Sequence, residues 1–379
     1  MSKAAELANL IGNINAGGGG VNRNVIINGA MNVSQRSTSV TGLGNTADNY
    51  HTVDRFKLGC DTTAATAGRL TMTQDSSAPS GFANSLKLAC TTADTSIAAG
   101  ELCALFQPIE GQNLQAFAKG TSDAKPFAVS FYVKGNASAT YMLELKDTDN
   151  TRVVHRQFAV TTDWNRIEVS FPADTTGALD DDNAKSLELR IWLHAGSNYT
   201  SGTYTADTWA SQTQANRAVG ISSFFDSTDR TFFITGVQLE VGQNPTEFEH
   251  EPYERTLAKC QRYFFIAHQD NAGMPTSSGY TFMGIGSYYS SSSVNVGVHF
   301  PVAMRAIPTS TVNFGSSGNQ GFISYTNGAV DYIGTSGTLN MPSIYGAFIS
   351  FNGGDGGAGN AAQIVTQYDD QSFSFSAEL

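Results

Sequence analysis

The sequence predicts an all-β protein in which an antiparallel sandwich or jelly roll is followed by a smaller β-sandwich. In the segments Phe127–Lys134 and Leu187–His194 every second residue is apolar, which is the period of a strand with one face on a core. Clusters of turn-forming residues such as Asp180–Asn183 lie between these segments. Charged residues make up only 15% of the chain, against about 25% in an average domain, and Gly, Ser, Thr and Asn take their place. This composition favours short antiparallel strands joined by tight turns.

Residues 1–20 form a segment of their own at the N-terminus. Apolar residues recur there at a spacing of 3, 4 and 3, which predicts one stripe of a short helix: Ala4, Leu7, Ile11 and Ile14. Gly17–Gly20 then interrupts the pattern and indicates a flexible hinge. A helix this short is not stable alone in water, so we expect a partner to hold it.

Residues 21–250 are predicted to form the jelly-roll sandwich. On the strand Leu187–His194 the face opposite the core carries Glu188, Arg190, Trp192 and His194. An aromatic ring flanked by charged, hydrogen-bonding groups is a suitable surface for a sugar, because the ring stacks while the polar groups bind hydroxyls. The alternative is that a crossing loop or a subunit interface covers Trp192.

Residues 251–270 change the period of the pattern. A short helix is predicted to begin at Pro252, which is favoured in the first helical turn. Its apolar stripe has a spacing of 4, 3 and 4 and consists of Tyr253, Leu257, Cys260 and Phe264. Such a stripe packs either on the sandwich or on a symmetry axis between copies of the chain.

Residues 271–379 are predicted to form the smaller sandwich. This stretch contains one basic residue, Arg305, but seven of the 14 tyrosines. A surface rich in Tyr, Ser, Gly and Asn and poor in charge is typical of adaptable recognition surfaces. The candidate binding residues are Tyr288, Tyr289, Tyr325, Tyr332 and Tyr345. Some of them must belong to the core, so we expect no more than half to reach a ligand.

The composition argues against several kinds of partner and predicts the state of the cysteines. The net charge of −11 argues against nucleic acid as a partner, since phosphate binding requires clustered Lys and Arg. No apolar run approaches the roughly 20 residues of a membrane span, and the first residues lack the layout of a signal peptide, so we expect synthesis in the cytoplasm and no membrane insertion. The cysteines are expected to be buried, reduced thiols: Cys60, Cys90, Cys103 and Cys260.

Catalytic and metal-binding motifs are absent from the sequence. It contains no nucleophile elbow followed by a suitable histidine, and no two histidines have the spacing of zinc ligands. We therefore expect a protein that is not an enzyme and has no cofactor. A structural calcium ion in the sandwich stays open as an alternative, although the acidic run Asp180–Asp182 fits a solvated turn better than a calcium loop.

Several runs resemble a known family. The chain begins its β-region with Val-Asn-Arg-Asn-Val-Ile-Ile-Asn-Gly-Ala-Met-Asn-Val-Ser-Gln-Arg at residues 21–36, and further runs lie at Thr52–Phe56, Thr235–Gly242, Glu247–Tyr253 and Cys260–Phe264. Together they are similar to tail-fibre and tail-appendage proteins of bacteriophages, notably of short-tailed phages of marine bacteria. The resemblance covers about residues 21–264 and is looser in the last domain.

The resemblance implies a virion protein of the phage tail, usually a homotrimer, whose central module looks like a carbohydrate-binding jelly roll. It implies that residues 1–20 attach to other tail proteins, such as an adaptor or nozzle. The distal, C-terminal domain would then meet a glycan or an outer-membrane receptor on the host cell. Two alternatives remain: a tail adaptor or decoration protein without receptor contact, and a tail-borne glycan depolymerase.

Overall fold

The structure is a computed structural model that describes residues 2–5, 7, 8, 11, 22–44, 47–60, 68–267, 281–314, 323–326, 329–353, 357–366 and 371–379. The chain divides into two compact units. The first unit comprises Met1–Thr256 together with Leu379, and the second comprises Leu257–Glu378. Among the described residues, no helix is both long enough and apolar enough to cross a bilayer.

The first unit is a sandwich of two antiparallel sheets. Its strands are β1 (Ser39–Gly44), β2 (Asp48–Tyr50), β3 (Lys57–Cys60), β4 (Arg69–Asp75), β5 (Ser85–Thr92), β6 (Leu102–Glu110), β7 (Phe127–Gly135), β8 (Ala139–Asp147), β9 (Arg152–Val160), β10 (Asn165–Phe171), β11 (Lys185–Ala195), β12 (Ala210–Ser211) and β13 (Thr231–Val241). One sheet has the order β1-β4-β5-β13-β7-β10, and the other has the order β12-β9-β8-β11-β6-β3-β2. The predicted sandwich is confirmed.

The core of the sandwich follows from the alternation of the two longest patterned segments. Strand β11 contributes Leu187, Leu189, Ile191 and Leu193, and strand β7 contributes Phe127, Val129, Phe131 and Val133, all to one buried cluster. The rings of Phe117 and Phe127 stack in this core with their centroids 4.3 Å apart. All four cysteines are buried and none of them forms a disulfide bond, in agreement with the prediction of reduced thiols.

Among the described residues, helices are few and short. They are Ser197–Thr200 and Tyr253–Gln261, with single 3-10 turns at Gly111–Asn113, Gln115–Phe117 and Gln214–Asn216. Near the N-terminus, residues 3–5, 7, 8 and 11 are helical, and Ala4, Leu7 and Ile11 are exposed. Ile14 lies outside the described residues.

The predicted stripe at residues 253–264 is only partly correct. The helix ends at Gln261, so Phe264 belongs to a strand instead. Tyr253 is exposed, Leu257 is half-buried, and Cys260 and Phe264 are buried within the chain. Because two of the four side chains are already covered by the protein's own packing, they do not form one free face for a threefold axis.

The second unit contains β14 (Phe264–Ile266), β15 (Thr281–Ser290), β16 (Ser293–His299), β17 (Thr309–Phe314), β18 (Ile323–Thr326), β19 (Ala329–Asn340), β20 (Gly346–Gly353), β21 (Ala361–Thr366) and β22 (Gln371–Ser376). Six of these strands close into a barrel in the order β15-β16-β20-β19-β18-β21, and the other three form the sheet β14-β22-β17. The expected second sandwich is thus corrected to a closed barrel with a small additional sheet. Strand β15 pairs with both β16 and β21, and this double pairing closes the sheet.

Candidate functional site

The Trp192 face of the first unit is covered. The segment that follows β11, residues 196–223, crosses this face and packs against it. The ring of Tyr199 lies 5.3 Å from that of Trp192, and the Arg217 guanidinium carbon lies 4.8 Å from the same indole centroid. Trp192 has no exposed surface. A crossing loop is therefore the correct interpretation, and the indole is not available to stack on a ligand.

A buried ion pair holds this crossing segment in place. Arg217 donates to both carboxylate oxygens of Glu144 in strand β8, at 2.6 and 3.0 Å. Burial by itself raises the pKa of Glu144, but Arg217 and Arg190 outweigh it and bring the pKa below its ordinary value. The carboxylate therefore stays ionised and paired under the segment, which keeps the segment closed over Trp192.

One histidine lies between a hydroxyl and a carboxylate, as in a catalytic triad. His194 Nδ1 is 2.8 Å from Ser223 Oγ, and His194 Nε2 is 3.3 Å from Glu101 Oε2. His194 has no exposed surface and Glu101 is almost completely buried. A substrate cannot reach the imidazole in this conformation. The geometry therefore indicates a structural role, in which His194 connects β11 to the loops that carry Ser223 and Glu101.

Burial makes His194 a source of pH-dependent stability. Burial lowers the pKa of His194 to about 4, from an ordinary value of about 6.5. Between pH 6.5 and pH 4 the unfolded chain therefore binds a proton at this histidine, whereas the folded chain does not. The free energy of unfolding consequently falls as the pH falls from 6.5 towards 4. We expect this residue to lower the free energy of unfolding by about 3 kcal/mol between pH 7 and pH 4.

Urea denaturation at pH 4 to 8 measures this effect. All three tryptophans lie in the first unit, so their fluorescence reports its unfolding. His194→Gln should flatten the pH profile, whereas His250→Gln, at an exposed position of the same unit, should leave it unchanged. An equally steep profile in His194→Gln would contradict the assignment.

The ammonium group of Lys119 is surrounded by oxygen atoms in the interior of the sandwich. Lys119 Nζ lies 2.6 Å from Asp147 Oδ2 and 3.1 Å from Asp174 Oδ2. It also donates to the backbone oxygens of Thr176 and Gly177, both at 2.9 Å. Carboxylate and backbone oxygens are the ligands that calcium uses, and here a side chain of the protein satisfies them.

The acidic run Asp180–Asp182 is an exposed turn, in which Asp182 accepts a hydrogen bond from the backbone N–H of Ala184. Among the residues that the structure describes, no group of three or more His, Cys, Asp or Glu side chains is arranged to hold a metal ion.

The five candidate tyrosines are in different environments. Tyr289 is 79% exposed and Tyr345 is 66% exposed, whereas Tyr288 is 1% exposed and belongs to the core of the second unit. Tyr288 is therefore removed from the candidate binding residues. The backbones of Tyr325 and Tyr332 lie in β18 and β19, but their side chains lie outside the described part of the structure.

Tyr289 borders a concave surface on the outside of the barrel, which we call the barrel face. It has a volume of about 810 Å³ and is lined by Ile285, Gly286, Ser287, Tyr289, Ser293, Asn295, Gly297, Asn340, Met341, Phe348 and Ser350. These residues come from strands β15, β16, β19 and β20 and from the residue after β19. The inward-facing residues of β16 are Val294, Val296 and Val298, which are buried, so the residues between them face outward.

Strand pairing places the polar side chains of the barrel face in a row. Asn295 pairs with Ser287 of β15 on one side and with Ser350 of β20 on the other. The Ser350 hydroxyl donates to Asn295 Oδ1 at 2.5 Å and accepts from Asn340 Nδ2 at 2.5 Å. The result is a continuous strip of hydroxyl and amide groups across neighbouring strands.

Exposed apolar side chains lie on both sides of this strip. The side chains of Ile285, Tyr289, Met341 and Phe348 are between 46% and 80% exposed. Gly297 pairs with Phe348 and leaves the surface beside that ring open. None of the described residues that line the barrel face is charged. Rings, hydroxyls and amides at the surface, without charge, are the groups that bind neutral polar ligands with apolar faces.

The sequence identified Tyr289 but missed Phe348, Met341 and the Ser/Asn strip. The sequence did contain one relevant signal. The alternation of Val294, Val296 and Val298 predicts that Asn295 and Gly297 lie on the outer face of β16. Which strands lie beside β16 depends on long-range pairing, and the sequence pattern does not contain that information. Tyr345, the other exposed candidate, does not line the barrel face.

A second, smaller groove lies on the outer face of β6 and β11 in the first unit. It has a volume of about 320 Å³, and Lys57, Lys185, Glu188 and Arg190 are among its lining residues. Glu188 accepts from Lys185 at 2.5 Å and from Arg190 at 2.6 Å. Although burial raises the pKa of Glu188, the neighbouring cations lower it to about 2. The charges in this groove are thus largely paired with each other.

Comparison with known proteins gives weak similarities only. No protein-family model matches the chain, and no curated protein sequence is similar to it. The enzymatically active domain of tailspike protein 4 from bacteriophage CBA120 aligns with 58% of this chain at 12% identity and a TM-score of 0.29. This chain spans about a fifth (21%) of that protein.

Two carbohydrate-binding modules are aligned over almost their full length. The module TmCBM61, in complex with β-1,4-galactotriose, aligns with 58% of this chain and 99% of its own, at 9% identity and a TM-score of 0.30. A family 11 module from Clostridium thermocellum, in complex with a β-1,3-1,4-mixed-linked tetrasaccharide, aligns with 56% of this chain and 99% of its own, at 12% identity and a TM-score of 0.27. These values are too low to transfer a function to this chain.

Proposed function

We propose that this protein is a bacteriophage tail fibre or tail appendage and that its barrel face binds a glycan on the surface of the host cell. The observation that carries the binding proposal is the barrel face itself. Its exposed Tyr289 and Phe348 rings flank a strip of Ser and Asn side chains, and no lining residue in the described part of the chain is charged.

The chemistry of a sugar matches this surface. A pyranose has an apolar C–H face that stacks on an aromatic ring and hydroxyls that both donate and accept hydrogen bonds. Tyrosine and phenylalanine offer large, rigid contact areas at a low cost in conformational entropy. Serine hydroxyls and asparagine amides have donors and acceptors in the same side chain, so they adapt to the orientation of sugar hydroxyls.

The place in the virion rests on the sequence motifs between residues 21 and 264 and on the N-terminal segment. The helical stripe residues Leu7 and Ile11 are 57% and 49% exposed, so their apolar side chains have room for a partner in the tail, such as an adaptor or nozzle protein. A homotrimer would present three barrel faces to the host, and several weak sites acting together gain affinity through avidity.

Cell binding by the purified full-length protein tests the proposal. Tyr289→Ala and Phe348→Ala should each weaken binding by about 1–3 kcal/mol, the usual scale of an aromatic hot spot. Tyr345→Ala is the matched control, because Tyr345 is exposed in the same unit but does not line the barrel face, and it should bind like wild type.

The same cells distinguish the alternatives. A receptor-binding fibre competes with the phage for the host, so added protein should reduce infection. Protein that neither binds nor competes would contradict the proposal and indicate an adaptor or decoration protein. Release of sugar fragments into the medium would indicate a depolymerase.

A further inference from the structure

The barrel face also specifies the class of glycan. We infer that its ligand is an uncharged oligosaccharide several sugars long, lying diagonally across strands β15, β16 and β20 between Tyr289 and Phe348. This inference rests on the proposed function and deepens it, because glycan binding by itself does not fix the charge or the length of the ligand.

The lack of basic side chains among the described residues of the barrel face argues against an acidic ligand. Carboxylates, sulfates and phosphates on sugars are recognised mainly by Arg and Lys, which supply paired, charge-assisted hydrogen bonds. Neither residue type occurs among the lining residues that the structure describes. Arg305, the only basic residue between positions 271 and 379, donates instead to the backbone oxygens of Ala377 and Glu378, at 2.7 and 3.0 Å. An anionic group placed here would lose water without gaining a cation, which is strongly unfavourable.

Strand geometry gives the length of the ligand. Tyr288 pairs with Val294 and Phe348 pairs with Gly297, so the two exposed rings belong to positions about four residues apart along the strands and two strands apart across them. With about 3.4 Å per residue and about 4.8 Å per strand, their backbones are separated by roughly 17 Å. A single sugar ring reaches only one of the two aromatic side chains, whereas an oligosaccharide reaches both.

The middle of this diagonal is polar throughout. Ser287, Asn295 and Ser350 lie side by side on the three strands between the two rings. A second copy of this chain or an apolar peptide would bury these groups against apolar surface, at a cost for each group left unpaired. A sugar chain instead provides hydroxyls for them along its whole length, which favours it as the occupant.

Fractionated host polysaccharide tests the inference. Surface polysaccharide of a susceptible host is partly hydrolysed, separated by anion exchange into neutral and acidic fractions, sized, and titrated against the full-length protein. We expect binding to the neutral fraction, at least tenfold tighter for fragments of four or more sugars than for single sugars. Because no ion pair forms, this affinity should be unchanged between 50 and 500 mM NaCl.

A different experimental result would overturn each part of the inference. Binding confined to the acidic fraction would overturn the charge class while leaving glycan binding intact, and equal affinity for single sugars and long fragments would overturn the extended site. Protein that binds intact cells but neither fraction would overturn the proposed glycan function itself.

Discussion

Replacement of Lys119 by methionine should lower the free energy of unfolding of the first unit by about 3–5 kcal/mol. The ammonium is completely buried, and it satisfies the carboxylates of Asp147 and Asp174 together with two backbone oxygens. Methionine fills a similar volume but removes the charge, so the carboxylates are left underpaired in the interior. Urea denaturation followed by tryptophan fluorescence measures the loss.

A surface ion pair provides the control for this variant. Lys57 contacts Asp48 at 3.0 Å, but half of the Asp48 side chain is exposed, so Lys57→Met should cost at most about 1 kcal/mol. The shorter Lys119→Ala leaves space between the same oxygens, and millimolar calcium should restore part of its stability while leaving wild type unaffected. Equal losses in Lys119→Met and Lys57→Met would contradict the role assigned to the buried ammonium.

Trp192→Ala should destabilise the first unit by about 3–5 kcal/mol and leave binding to host cells unchanged. The indole is fully buried and packs with Ala104, Met142 and Ala218 in a small cluster under the crossing segment. Its removal leaves a cavity and takes away the surface on which residues 196–223 rest. Limited proteolysis should therefore cut this segment faster in the variant than in wild type.

Trp164→Ala is the comparison for the change at Trp192. Trp164 is partly exposed and contacts Phe233 edge-on, so its truncation should cost less. One result would contradict the structural role assigned to Trp192. If Trp192→Ala kept its stability but lost binding to cells, the crossing segment would have to open, and the face beneath it would become the binding site.

The sequence predicted the sandwich because its strands have one buried face. The alternation in β7 and β11 determines which side chains enter the core, and the structure confirms it. The same alternation occurs in an open sheet and in a closed one, so it did not distinguish a second sandwich from the barrel. Closure depends on the pairing of β15 with β21, whose residues are about 80 positions apart in the chain.

The sequence pattern was also insufficient to identify which candidate residues are exposed. Period-two alternation correctly placed Trp192 on the outer face of its strand, but the segment that covers it has no regular pattern. Tyr288 and Tyr289 are adjacent, so one had to face inward, and only the pairing of Tyr288 with the buried Val294 shows which. Lys119 and the oxygen atoms that it contacts belong to residues up to 58 positions apart in the chain, so no local sequence motif could predict this cluster.

A crystal structure of the full chain soaked with the neutral oligosaccharide fraction tests the central claim most directly. The account predicts density for a sugar chain on the barrel face, with one ring stacked on Tyr289, another on Phe348, and hydroxyls within hydrogen-bonding distance of Asn295 and Ser350. Density in the charged groove beside Lys185 and Arg190, with an empty barrel face, would contradict it.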